Sequence, residues 1–126
     1  MRAVDTNVLV RLLTRDDPRQ VKVAESFVSA GAWVSHLVLA EAMWVLSAVY
    51  GTAPSEIAIA VDMLLRHKRL SLQDSEVVEA ALSRFREKPA VGFSDCLVLE
   101  IARRAGHKPL GTFDKHLGRL DGTQRL

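Results

Sequence analysis

The sequence predicts an α/β fold, a three-layer α/β/α sandwich around a central, mainly parallel sheet of four to five strands. Short β-favouring runs alternate with helical segments along the whole chain, the pattern of a parallel sheet covered on both faces. The helical segments carry apolar residues at helical spacing and are bounded by cap signals. The length, 126 residues, fits one domain, residues 1–126, with a single sizeable core.

Met1 to Val4 reads as a short buried strand with Asp5 at its carboxyl end. Val8, Leu9, Leu12 and Leu13 suit a short helix over Asn7 to Thr14. Asp17-Pro18 starts the next helix, Asp as N-cap and Pro at the first helical position. Its inner face is Val21, Ala24, Phe27 and Val28, and it ends near Gly31. Ala32 to Ser35 is too short for a helix, and Trp33-Val34 favour a strand. His36 to Tyr50 is the most apolar helix, stopped by Gly51. Pro54 opens a helix over Ser55 to about His67, and Arg69 to Gln73 reads as a strand. Asp74 caps a helix that runs to about Phe85 and ends before Lys88-Pro89. Ser94 reads as the N-cap of a helix from Asp95 to Ala105, closed by Gly106. Lys108 to Thr112 reads as a strand, Asp114 to Leu117 as a helical turn, and Thr123 to Leu126 as a final strand.

Composition is that of an ordinary globular protein, 48% hydrophobic and 25% charged, with no repeat or low-complexity stretch. The single cysteine, Cys96, forms no internal disulfide, in keeping with a reducing compartment and a cytoplasmic location. Asp5 and Arg11 interrupt the N-terminal apolar stretch too early for a secretory segment, and no apolar run is long enough to span a membrane.

Four acids fall where such an architecture converges, outside the carboxyl ends of the strands. Asp5 ends the first strand, Glu41 lies in the helix after the second, Asp95 opens the helix leading to the fourth, and Asp114 follows the fourth. Glu41 is the only charged residue from Leu37 to Tyr50, and reads as a buried carboxylate needing a cation or an arginine such as Arg11 or Arg15. Capping explains Asp5, Asp95 or Asp114 as well when each is taken alone. Together the four suit Mg²⁺ or Mn²⁺, hard cations that take oxygen ligands and activate water for phosphodiester cleavage. Thr6, Asn7, Ser94 and Thr112 stand near the acids as polar supports that orient carboxylates or water. Setting those four acids aside leaves 17 basic residues against 11 acidic, a net +6, which suits a polyanionic partner. Lys115 and Arg119 are the candidate phosphate contacts. The other acids, including Asp16, Glu25 and Glu100, read as solvated on polar helix faces, and Trp33, Trp44 and Phe85 read as core. Aromatic residues are few, so choice among polyanionic partners is expected to rest on shape and backbone rather than stacking.

The ordered motifs V-D-T-N, L-A-E-A, F-S-D-C-L and G-T-F-D resemble those of the PIN-domain nucleases. Their coverage from Asp5 to Asp114 resembles the VapC-type toxins of bacterial toxin–antitoxin pairs. The resemblance implies a Mg²⁺- or Mn²⁺-dependent endoribonuclease acting on structured RNA such as tRNA or rRNA. It also implies a homodimer and a small VapB-type antitoxin that blocks the site. Asp5, Glu41, Asp95 and Asp114 match the family's acidic quartet, and Thr6, Asn7 and Thr112 match polar positions near it. Some relatives carry a further acid shortly after the third; Cys96, Leu97 and Val98 do not supply it.

Rival readings remain. The histidines and the lone cysteine lack zinc spacing, and no nucleophile elbow is present. Gly106 to Gly111 has the glycine spacing of a P-loop without its lysine. An aspartyl phosphatase would want an acid where Asn7 stands. A PIN-fold RNA-processing nuclease outside a toxin–antitoxin pair, and a non-catalytic binding module on the same fold, are the alternatives kept.

Overall fold

Every strand pairing in the protein is parallel, and helices separate the paired strands, as the alternation in the sequence requires. The computed structural model describes residues 1–126 as two compact units, Met1–Ser75 and Glu76–Leu126. In all there are six α-helices and five strands, paired as three and two.

The first unit runs β1 (Arg2–Ala3), α1 (Thr6–Thr14), α2 (Pro18–Val28), β2 (Ala32–Val34), α3 (His36–Ala48), α4 (Pro54–Arg66) and β3 (Leu70–Leu72). Its sheet has the order β1-β2-β3, with Ala3 opposite Trp33 and Trp33 opposite Ser71. The expectation of a buried first strand is corrected, since Arg2 and Ala3 are exposed and burial begins at Val4. Arg2 lies over the Phe27 ring, 4.1 Å from its centre, and so covers that side of α2. As expected, Asp17 caps α2, accepting the Gln20 N–H at 3.1 Å with Pro18 at the first position.

Helix α3 is apolar all round, and this misdirected the sequence reading. Leu39, Ala42, Met43 and Leu46 are buried, whereas Leu37, Glu41 and Trp44 lie on its exposed side. Trp44 is 62% exposed and Trp33, on the outward position of β2, is 39% exposed, so neither is core; Phe85 is, at 3%. A helix without polar periodicity does not announce which face turns inward.

The second unit holds α5 (Ser75–Glu87), a 3₁₀ turn (Pro89–Val91), α6 (Phe93–Arg104), β4 (Leu110–Thr112), a 3₁₀ turn (Leu117–Arg119) and β5 (Thr123–Arg125). Phe85 of α5 meets Phe93 of α6 edge to face, ring centres 6.1 Å apart, a geometry the ring quadrupoles favour. Each fully buried leucine here, Leu82, Leu97 and Leu99, contributes about 1.5–3 kcal/mol of burial. The cap of α6 is Gly92, not Ser94: its φ of +89° suits glycine, and its carbonyl accepts the Cys96 N–H at 3.1 Å. Ser94 and Asp95 therefore both lie in the first turn of α6. The helical turn expected at Asp114 to Leu117 starts three residues later, at Leu117–Arg119. Gly118 in that turn is required by close approach, because a Cβ there would stand 2.8 Å from Arg125 Cβ in β5.

Glu100 corrects another expectation. It is 9% exposed and is ion-paired with Arg84 of α5, with Arg103 Nε at 3.9 Å. Phe93, Leu97 and Glu100 repeat at helical spacing on the inner face, so Glu100 stands in a core position filled by a charge. Arg103 Nη1 also donates to the Asp121 carbonyl at 3.1 Å, which ties α6 to the loop before β5.

Candidate active site

In the first unit the site residues gather where β1 turns into α1. Asp5 is the N-cap of α1, and its Oδ1 accepts the Thr6 N–H at 2.7 Å. The Thr6 hydroxyl then reaches across to α3 and donates to Glu41 Oε2 at 2.9 Å. One threonine thus fixes an oxygen on each of two carboxylates, and each carboxylate keeps its second oxygen for another partner. Asp5, Thr6, Asn7, Arg11, Glu41 and Tyr50 line one open groove.

Glu41 is exposed rather than buried, and neither arginine suggested for it pairs with it. Arg15 pairs with Glu25 at 3.2 Å. Arg11 is held by Asp16 Oδ1 at 2.8 Å, Gln20 Oε1 at 2.6 Å and the Tyr50 hydroxyl at 3.2 Å. The Tyr50 hydrogen bond, foremost, raises the Arg11 pKa against desolvation, and the Asp16 charge adds to the rise. Asp16 is lowered, first by the hydrogen bond from Thr14 and then by those from Tyr50 and the charge of Arg11. Arg11 thus brings a fixed cation, already balanced by Asp16, to the groove that holds Asp5 and Glu41.

In the second unit Asp95 and Asp114 form the corresponding pair. Asp95 is part-buried, and burial pushes its carboxyl above the usual value, with the nearby charge of Asp114 adding to the rise. Asp114 follows β4 and is exposed; its Oδ1 accepts the Leu117 N–H at 2.7 Å. Its own N–H donates to Thr112 Oγ1 at 3.0 Å, so Thr112 sets the direction of the chain at the acid. Lys115 and Arg119 are both exposed on the following turn. Cys96 is fully buried beside Asp95, its thiol pushed up to about 11 chiefly by burial, and it is no nucleophile.

Asp5, Glu41, Thr6 and Asn7 belong to the first unit, and Asp95, Asp114, Ser94, Thr112, Lys115 and Arg119 to the second. Within neither unit do three or more His, Cys, Asp or Glu side chains draw together into a metal-binding group. What each unit supplies is a pair of carboxylates. Their chemistry fits a hard divalent cation, because the donors are all oxygen, and both the burial that raises Asp95 and the Asp114 charge that adds to it are offset by a bound cation. The sequence reading missed Phe113, which is 80% exposed directly before Asp114, and the signal for it was its place beyond the apolar part of the strand between two polar residues.

No helix is long and apolar enough to cross a membrane. No curated protein matches the chain, and no solved structure does. The PIN domain family matches residues 2–123, a span that runs through both units. The chain therefore belongs to the PIN domain family, whose members are in general metal-dependent nucleases.

Proposed function

We propose that the protein is a metal-dependent endoribonuclease that cleaves RNA phosphodiesters with an activated water. The observation that carries this is the paired carboxylates: Asp5 and Glu41 locked to one threonine, and Asp95 raised by burial with the charge of Asp114 adding to the rise. Asp5, Glu41, Asp95 and Asp114 would hold Mg²⁺ or Mn²⁺. When bound, such an ion supplies Lewis acidity toward the phosphate and lowers the pKa of water.

The chain's own groups do the rest. Thr6 fixes Asp5 and Glu41 by its N–H and hydroxyl, and Thr112 fixes Asp114 by accepting its N–H. One of the four carboxylates accepts a proton from the attacking water. The water oxygen bonds to phosphorus as the P–O3′ bond breaks, leaving a 5′-phosphate and a 3′-hydroxyl. The substrate 2′-hydroxyl takes no part. Asn7 beside the first pair and Ser94 beside the second are the further polar supports, and the exposed Lys115 and Arg119 are the candidate contacts for neighbouring phosphates.

The motif order supports a toxin role, with tRNA or rRNA as substrate, a homodimer, a cytoplasmic location, and a small VapB-type antitoxin as partner. An apolar cleft of about 820 Å³ in the first unit, lined by Leu12, Leu13, Leu46, Ile59 and Met63, offers an amphipathic antitoxin segment a place to dock. Growth arrest on expression, relieved by a small co-encoded protein and abolished by Asp5→Asn, tests the toxin role; arrest that persists in Asp5→Asn speaks for a binding module instead. Cleavage of RNA by the purified protein, with Mg²⁺ and with chelator, tests the nuclease.

A further inference from the structure

Phe113 has no structural task. It is 80% exposed, yet burying such a side chain would be worth about 1.5–3 kcal/mol to the fold. The chain on either side of it is fixed. Thr112 belongs to β4 and its carbonyl accepts the Leu126 N–H at 2.8 Å. Asp114 donates its N–H to Thr112 Oγ1 at 3.0 Å, while its Oδ1 accepts from Leu117 at 2.7 Å and its carbonyl from Gly118 at 2.9 Å. The ring is therefore carried on a braced turn, beside an acid of the pair Asp95 and Asp114.

Its surroundings point to nucleic acid rather than to a protein interface. A docking patch on a protein surface has a contiguous apolar centre. Here the residues that follow are Asp114, Lys115 and His116, all exposed and polar. An exposed aromatic ring followed along the chain by an acid and a lysine is an arrangement in which an unpaired base can stack while its phosphates meet positive charge. A phenylalanine has only two side-chain torsions to order, so little entropy opposes the contact.

We infer that Phe113 is a base-stacking residue that selects RNA unpaired at the cut site, by stacking on a base next to the scissile phosphate. This rests on the nuclease reading and narrows its substrate to loops, bulges and single strands. It departs from the expectation that shape and backbone alone choose the substrate.

The test compares wild type, Phe113→Ala and Phe113→Trp. Binding to short single-stranded oligoribonucleotides is followed by anisotropy without divalent metal, and cleavage is followed separately with Mg²⁺. An abasic site is walked across the cut position in parallel substrates. Phe113→Ala should weaken single-strand binding about 5- to 150-fold, the range of one stacked base, and Phe113→Trp should restore it. One abasic position should cost wild type the same factor and cost Phe113→Ala nothing further. Duplex RNA should bind all three proteins alike. Thermal denaturation should be unchanged, because the side chain is exposed. The inference is overturned if Phe113→Ala binds single strands within about twofold of wild type. It is also overturned if no abasic position couples to Phe113, or if wild type binds none of these RNAs. Wild type that binds but does not cleave overturns the nuclease reading alone.

Discussion

Replacing Glu100 by glutamine keeps the shape of the side chain and deletes its charge. Glu100 is 9% exposed, and its partners Arg84 and Arg103 keep only 25% and 27% side-chain exposure. The variant leaves two guanidinium groups of α5 and α6 without their shared counter-charge in a mostly desolvated place. Breaking a buried pair from one side costs ~3–5 kcal/mol, and the residual exposure of the arginines puts this case at the lower end. With unfolding entropy of roughly 2.1 cal/mol/K per residue over this chain length, a loss of 3 kcal/mol lowers Tm by about 11 °C. The comparison is Glu25→Gln, which removes a 3.2 Å pair to Arg15 with side chains 53% and 56% exposed. Such a surface pair contributes under about 1 kcal/mol. Urea and thermal unfolding of both variants measure the difference. Equal losses would refute the claim that burial, rather than the count of ion pairs, decides what Glu100 contributes.

Three further outcomes follow from the site. Asp95 has a raised pKa, so between its ordinary value and the raised one the folded state binds more protons than the unfolded state, and stability falls as pH rises through that window. Metal-free Asp95→Asn should therefore melt higher than wild type at neutral pH, with the gap closing in acid; melting in EDTA across pH checks this, and a lower-melting variant at neutral pH sinks it. Mg²⁺ at about 100 times its Kd should stabilise wild type by ~2.7 kcal/mol, or about 10 °C, and Asp114→Asn, which keeps an oxygen to cap Leu117, should lose that shift. Thr6→Val removes the hydroxyl that holds Glu41 and should weaken Mg²⁺ affinity by about 10- to 100-fold in a titration; unchanged affinity would mean that the Thr6 contact does not prepare the site.

Element order was legible because caps and apolar spacing are local. Asp17-Pro18 marks a helix start by backbone chemistry that needs no knowledge of the fold, whereas at α6 the same reasoning points to Ser94 where the cap is Gly92. Direction was harder to read. In α3 the apolar residues surround the helix, so nothing local told that Trp44 and Glu41 turn outward. The argument that Glu41 must find a cation because it is buried fails, since the carboxylate is exposed and held by Thr6. In α6 the reverse held: Phe93, Leu97 and Glu100 share a face, and attention to spacing rather than to charge would have put Glu100 inside. Among the acids, Asp5 and Asp114 stand out by their places after strands, Asp95 by its place at a helix start and Glu41 as the one charge in an apolar helix. Their partners, Thr6 for Glu41 and the Arg11, Asp16 and Tyr50 group, join residues distant in sequence and become visible only in three dimensions.

The central claim is that Asp5 belongs to a carboxylate site that cleaves RNA with water. Asparagine caps a helix as well as aspartate does, so Asp5→Asn should leave α1 intact while removing the charge. The measurement is end-group analysis of RNA cut by wild type and by Asp5→Asn, with Mg²⁺ and with EDTA. The account predicts metal-dependent products with 5′-phosphate and 3′-hydroxyl ends, and none from a folded Asp5→Asn. A 2′,3′-cyclic phosphate, or full activity in Asp5→Asn, would contradict it.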